Sequence, residues 1–263
     1  IAFQSVAIGL LFQRISRGQK RGKTIIFSDK AVVRRVRGIP YLMFRLGELR
    51  RQHLIDVVVR VYCLKHERML LSKTGVLPPP TDPVQHHHQN NNNPPIETYH
   101  FMTRHIKLLH PDEERIGNHI LMSLPQVVVH RMDKLSPLIP RQNVWYDEAG
   151  QTHQSDSSSN QQLCRFLRDR EVEIIVQVEG TDELTAQPLQ ARHSYRHDDI
   201  VWDHTFVSCT RPFVSEDERG GGRRRCQRRQ RGVDDPICTI DFARFHDVVP
   251  AGDAEDCPYV TLS

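Results

Sequence analysis

The sequence predicts an all-β sandwich preceded by one short N-terminal helix. Three observations lead there. From Thr24 onward the apolar residues fall in short β-branched and aromatic runs rather than in helical stripes. Asp29, Gly38, Pro40 and Gly47 punctuate the first of those runs at the spacing of a sandwich. The chain has 263 residues, is 38% hydrophobic and has a mean hydropathy of −0.52, so it can bury a core without disulfide staples.

The elements follow in order. Residues 1–16, IAFQSVAIGLLFQRIS, are apolar and then turn basic. They read as a short amphipathic or core helix, or as the cytoplasmic end of a transmembrane helix, because cations directly after an apolar run mark the cytoplasmic side. The apolar run Ile1 to Phe12 is shorter than the about 20 residues that span a bilayer. It therefore reads as the end of a longer element, and the chain as a piece of a longer protein. Residues 17–28 form a basic linker. TIIFS, AVVRRV, IPYLMFRLG and LIDVVVRVYCL are predicted strands, as are YHFMTRHIKLL, HILMSLPQVVVHRM and EVEIIVQVEG. Further strands are expected in LTAQPLQARHSY, DIVWDHTFV and CTIDFARFHDVV. The sandwich domain, residues 29–263, carries polar insertions near 70–98, 141–168 and 216–232. No long amphipathic helix is predicted after residue 16.

Charge and special residues narrow the function classes. The net charge is +4, and the cations concentrate in two runs, Arg14–Lys23 and Arg223–Arg231. Such runs favour an anionic membrane surface or nucleic acid. Gly220 to Gly232 has no stacking aromatics among its arginines, so it reads as a solvated loop and no nucleic-acid partner is expected. The six cysteines, Cys63, Cys164, Cys209, Cys226, Cys238 and Cys257, form no C-x-x-C and read as reduced thiols. His86, His87 and His88 lie in low-complexity sequence, so no metal site is expected there. There is no P-loop, G-x-S-x-G or H-E-x-x-H, and the chain is not expected to be an enzyme.

Several ordered motifs carry a resemblance. Ser5 to Ser28, SVAIGLLFQRISRGQKRGKTIIFS, is similar to the junction between inner helix and cytoplasmic domain in inward-rectifier potassium channels. Ala31–Arg60, Leu124–Leu138, Val172–Gly180, Ala191–Phe206 and Ile240–Pro250 keep the order and approximate spacing of that family. The resemblance implies an immunoglobulin-like β-sandwich, assembled as a homo- or heterotetramer beneath a pore at the plasma membrane, on its cytoplasmic side. The family's glycine-tyrosine-glycine filter does not occur in this sequence.

The resemblance also implies site residues. Arg14, Arg17, Lys20 and Arg21 fall where the family places lipid-binding cations; Gln19 replaces a common lysine. Lys23 extends the cluster, and Arg50 and Arg51 fall on a supporting basic pair. Each juxtamembrane cation gains about 1 kcal/mol near an anionic leaflet, and the resemblance makes a phosphoinositide the expected regulator. Asp56 and Glu179, with Glu114 as a third candidate, fall on carboxylates lining the cytoplasmic ion path. There they would concentrate potassium and hold magnesium or polyamine blockers. Gly180, Thr181 and Asp182 lie in the loop 179–184, where the family has its narrowest cytoplasmic constriction, and Asp182 stands in a stretch that is usually more apolar. Ile15 would close the helix gate. Gln4 falls where strong rectifiers carry an acid, which predicts weak or moderate rectification. The structural alternatives stay open: topology charge for the cations, strand-end acids for the carboxylates, a plain hairpin for 179–184. The rival functions are a stand-alone β-sandwich interaction module and a nucleic-acid binder using residues 223–231.

Overall fold

The strand pattern of the sequence is realised as two packed main sheets, together with two short strand pairs, among the described residues. The structure is a computed structural model that describes residues 2–15, 21–50, 54–70, 97–140, 156–212 and 238–251, with Cys257 and Val260. It begins with α1 (Ala2–Ile15). The strands are β1 (Ile25–Phe27), β2 (Ala31–Val36), β3 (Ile39–Glu48), β4 (Leu54–Leu70), β5 (Glu97–His105) and β6 (Gln126–Arg131). A single-turn helix, α2 (Glu113–Ile116), lies between β5 and β6, and α3 (Asp156–Asp169) follows β6. Then come β7 (Glu173–Asp182), β8 (Pro188–Arg196), β9 (Ile200–Trp202), β10 (His204–Phe206), β11 (Thr210–Pro212), β12 (Cys238–Ile240) and β13 (Val248–Pro250).

One sheet is built on β3, which pairs antiparallel with β1, β2 and β6, while β9 adds parallel to β2. The other runs β5-β4-β7-β8, all antiparallel. The two short pairs are β10-β13 and β11-β12. Successive side chains of a strand point to opposite faces, and this alternation sorts the apolar residues. Ala31, Val33, Leu42, Phe44, Leu46 and Val128 face the second sheet. Val59, Val61, Ile174, Val176, Val178 and Tyr195 meet them from it. Val32, Val36, Tyr41, Met43, Val127 and Val129 point the other way and are covered by Phe206, Cys257 and Val260. That second cover is why β3 is buried from Pro40 to Glu48, where a sheet with one wet face would alternate.

Arg45 pins this outer cover. Its guanidinium donates to the carbonyls of Phe245 (2.9 Å) and Val207 (2.6 Å) and lies 4.7 Å from the centroid of the Phe206 ring. Tyr195 ties the sheets at the other face: its hydroxyl donates to the Ser28 carbonyl at 2.9 Å.

Two expectations need correction. Residues 156–169 are a helix, not part of a polar insertion, and so an amphipathic helix does follow residue 16. The segment is rich in Ser and Gln, but Leu163 and Leu167 sit one turn apart, are 2% and 1% exposed, and join the main core with Phe166 against it. A narrow apolar stripe is enough to dock a helix whose other faces are wet. Asn160 secures it by donating to the Asp203 carboxylate (2.9 Å) and accepting from Arg35 Nε (3.0 Å). The second correction is that 179–184 is not all loop: β7 runs through Asp182, and only the residues after it turn, closing a hairpin to β8.

The predicted insertion near 70–98 is bounded by strand at both ends, since β4 runs to Leu70 and β5 starts at Glu97. The linker predicted for 17–28 ends in β1. No helix among the described residues is long and apolar enough to cross a membrane. Among the described residues Cys63, Cys164, Cys209, Cys238 and Cys257 are in the thiol form. The segment 216–232, Cys226 and His86 to His88 lie outside the described residues.

Candidate functional site

Arg21, Lys23, Arg50, Asp56 and Glu179 to Asp182, all singled out in the sequence, meet at one corner, where the linker joins the ends of β3, β4 and β7. Residues 21–22 are helical, and a turn then feeds β1: the Thr24 amide donates to the Arg21 carbonyl at 3.0 Å, and the Leu49 amide to the Thr24 carbonyl at 3.0 Å. These bonds fix Arg21 beside the end of β3. Its Nη1 donates to Glu48 Oε1 at 2.9 Å and its Nε to Asp182 Oδ1 at 2.7 Å. The three side chains are 5%, 2% and 8% exposed, so this is an interior ion cluster. Arg21 also donates to Thr24 Oγ1 at 2.7 Å. Gly22 is required by close approach, since a Cβ there would lie 2.7 Å from the Gln190 carbonyl oxygen on β8.

Asp182 closes the hairpin as well as the cluster. Its Oδ2 accepts from the Thr185 hydroxyl at 2.7 Å and the Thr185 amide at 3.2 Å. The Thr185 hydroxyl first, and then Arg21, hold its carboxyl below the usual carboxylate range against the opposing effect of burial. Glu48 Oε1 takes a second donor, the Arg50 amide at 3.0 Å.

Beside the cluster, β4 carries a bulge between Ile55 and Val58, with Asp56 at φ 51° and exposed. A non-glycine residue in that left-handed region is strained, and bulges of this kind re-aim a side chain. Gly180 lies across from the bulge, where a Cβ would meet Val57 Cγ2 at 3.2 Å and the Ile55 carbonyl at 3.4 Å. Thr181 pairs with Ile55 and Glu179 with Val58. The Glu179 carboxylate is ion-paired to Arg60 and accepts from the Gln177 and Gln190 amides, each at 2.7 Å. Arg60 first, then the two amides, hold the Glu179 carboxyl below the usual range.

Lys23 and Arg50 are exposed next to the cluster. The remaining predicted residues are scattered or lie beyond this corner. Glu114 is exposed on α2 and ion-paired to Lys107, on the connection that runs along Val57 to Val59 rather than in the corner. Arg14 and Ile15 lie in the last turn of α1, and Gln4 is exposed near its start. Arg17, Lys20 and Arg51 lie outside the described residues. Sequence reasoning missed Glu48 and Arg60. Arg60 had a signal: Val59 and Val61 point inward, so Arg60 shares the outer face with Gln177 and Glu179. Glu48 had none, because Arg21 lies 27 positions from it and Asp182, the third member of the cluster, lies 161 positions from Arg21.

The comparisons with known proteins agree with this architecture. Residues 152–219 match the family model described as "Inward rectifier potassium channel C-terminal domain". The chain is similar to mouse ATP-sensitive inward rectifier potassium channel 8, with 29% identity over 218 residues, 83% of this chain and 39% of that protein. It is similar to human G protein-activated inward rectifier potassium channel 3, with 27% identity over 240 residues, 91% of this chain and 44% of that protein. It is similar to the Caenorhabditis elegans inward rectifier potassium channel irk-1, with 28% identity over 212 residues, 78% of this chain and 29% of that protein. The chain thus spans less than half the length of these relatives. It resembles the inward-rectifier potassium channel family over most of its length, and residues 152–219 match the model of that family's C-terminal domain.

Proposed function

We propose that this chain is the cytoplasmic part of an inward-rectifier potassium channel subunit at the plasma membrane, and that it couples phosphoinositide binding to gating. In this reading the chain works as a homo- or heterotetramer. The cations Arg14, Arg17, Lys20, Arg21 and Lys23, supported by Arg50 and Arg51, meet the anionic lipid. Asp56 and Glu179, with Glu114 as the third candidate, face the potassium path and attract magnesium or polyamine. Ile15 and the Gly180–Asp182 strand end are its constrictions. The Arg60–Glu179 ion pair lowers the net charge that Glu179 offers a cation, and Gln4 adds none. Both favour weak or moderate rectification.

One observation carries the coupling: Arg21 of the lipid-facing linker is hydrogen-bonded at 2.7 Å to Asp182 of the candidate constriction. A lipid that draws the linker away is thereby felt directly at the end of β7, where Arg21 lets go of Asp182. The test is a chimera in which this chain replaces the matching segment of mouse ATP-sensitive inward rectifier potassium channel 8. Excised patches are recorded before and after adding dioctanoyl phosphatidylinositol 4,5-bisphosphate. Current that rises with the lipid, and no longer does so after Arg14, Arg17 and Lys20 are changed to Gln, supports the reading. A surface-expressed chimera whose current ignores both the lipid and those changes refutes it. Spermine block compared between the chimera and its Gln4→Asp variant reads the rectification: stronger block in the variant is expected, and equal block rejects that part.

A further inference from the structure

We propose that Glu48 and Asp182 form an internal receptor for Arg21, a charge latch that competes with an anionic phosphate group for the linker's arginine and keeps the linker seated when no phosphate is present. The inference deepens the proposed function and rests on its reading that the linker meets an anionic lipid.

The geometry of the latch is specific. Arg21 presents two different nitrogens, Nε and Nη1, to carboxylates on two different strands, at 2.7 and 2.9 Å. A guanidinium fork is shaped for two-point recognition of carboxylate or phosphate, so engagement with the two acids and with a phosphate draws on the same donors. The two engagements exclude each other at those nitrogens. The backbone is seated too: Gly22 packs so closely on the Gln190 carbonyl that a side chain would collide with it, at 2.7 Å from its Cβ. Thr24 and Leu49 complete the seat through backbone bonds.

The seat is also releasable. The cluster sets one positive charge against two negative ones. Among the described residues Glu48 Oε2 is buried with no hydrogen-bond partner, although Glu48 Oε1 holds both Arg21 and the Arg50 amide. A buried carboxylate oxygen without a donor raises the free energy of the seated state. Lys23 and Arg50 are exposed beside it and offer a phosphate its first contacts before Arg21 turns. Asp182 is a feature of this chain's own sequence, standing in a stretch that the resemblance leads one to expect to be more apolar.

The test uses the full chain. Hydrogen exchange at the Thr24 and Leu49 amides reads the seat without any lipid. Asp182→Asn removes the charge but keeps an oxygen for Thr185, and Glu48→Gln does the same on the other strand. Thr185→Ala loosens the hairpin without touching Arg21 and serves as the control. The two acid variants are expected to speed exchange about tenfold, the equivalent of one charge-assisted hydrogen bond, and the control to leave it near wild type. Binding is then read by sedimentation with phosphatidylcholine vesicles carrying phosphatidylinositol 4,5-bisphosphate. A second arm uses soluble inositol 1,4,5-trisphosphate, to tell a lipid surface from a free phosphate. Asp182→Asn and Glu48→Gln are expected to bind the vesicles about tenfold tighter than wild type, and Thr185→Ala no tighter. Exchange unchanged in both acid variants overturns the latch. So does vesicle binding that is present in wild type and equal in the variants, which leaves the lipid reading standing. If no form binds the vesicles or the trisphosphate, the lipid reading falls, and competition with phosphate falls with it. Accelerated exchange would then show only that the acids hold the linker.

Discussion

Arg21→Met is the sharpest stability test, because it removes one cation from between two buried acids. Glu48 and Asp182 would keep side-chain exposures of 2% and 8% with no guanidinium between them. Breaking one side of a buried ion pair costs about 3–5 kcal/mol. The cost has a ceiling, since a carboxyl with an ordinary value near 4 can be protonated at pH 7 for about 4 kcal/mol, at 1.36 kcal/mol per unit. The expected loss at pH 7 is therefore about 3–4 kcal/mol, large beside a typical domain stability of about 5–15 kcal/mol. The sign with pH follows from Asp182, whose folded carboxyl is held below its unfolded value by Thr185 and then by Arg21. Its stabilisation is complete above the ordinary carboxylate range and is lost as pH falls through the folded value. The variant keeps the Thr185 contribution but leaves its buried acids without the guanidinium; protonating such an acid costs about 4 kcal/mol at pH 7 and about zero near pH 4, so the variant's deficit should shrink on acidification. Urea unfolding followed by circular dichroism at pH 7 and at pH 4 measures both numbers. The triple variant Arg21→Met/Glu48→Gln/Asp182→Asn should recover most of the deficit. A loss under about 1 kcal/mol at pH 7, the range of an exposed pair, or a deficit that does not shrink at low pH, would refute the reasoning.

The other predictions concern separate parts of the fold. Leu167→Ala leaves a void where α3 meets the core and should cost about 2–5 kcal/mol in the same urea assay. A loss near zero would mean that the helix is not docked. His130 is buried with its Nδ1 at 2.5 Å from the Lys107 carbonyl and its Nε2 at 2.7 Å from Ser136 Oγ, and burial pulls its pKa down to about 4. A depressed histidine stabilises above its unfolded value near 6.5 and loses that contribution as pH falls toward about 4, so wild type should lose about 3 kcal/mol across that window. The slope should flatten in His130→Gln, and equal slopes would reject the assignment. Arg45→Met leaves the Phe245 and Val207 carbonyls without their donor and should release the outer cover, seen as faster hydrogen exchange in residues 242–250, with about 2–3 kcal/mol lost. Gly180→Ala crowds Val57 and the Ile55 carbonyl at 3.2 and 3.4 Å and should cost about 1–3 kcal/mol. An unchanged urea midpoint would show that the bulge yields freely.

Much of the fold was legible because strands gather β-branched and aromatic residues into short runs bounded by turn residues. AVVRRV and VEIIVQVEG are such runs, and the structure places them in β2 and β7. The helix α3 was not legible, because Leu163, Phe166 and Leu167 are diluted by eight Ser, Asn, Gln and Asp neighbours in DSSSNQQLCRFLRD. Composition averages over all faces of a helix, while docking needs only one. The site was legible as a set of types and positions, not as an arrangement. Arg21 and Asp182 were each noted for their charge, yet nothing local links residues 161 positions apart.

By itself, the sequence determined the class of the fold, the position of most of its strands and the grouping of cations ahead of β1, because these follow from the make-up of short runs and from charge. Only the tertiary structure decided that Arg21 turns inward to Glu48 and Asp182, that Arg60 meets Glu179, and that Gly180 backs the Asp56 bulge. Those contacts depend on which strands become neighbours in space. That choice is made by the burial of the whole core and by no short stretch of chain within it.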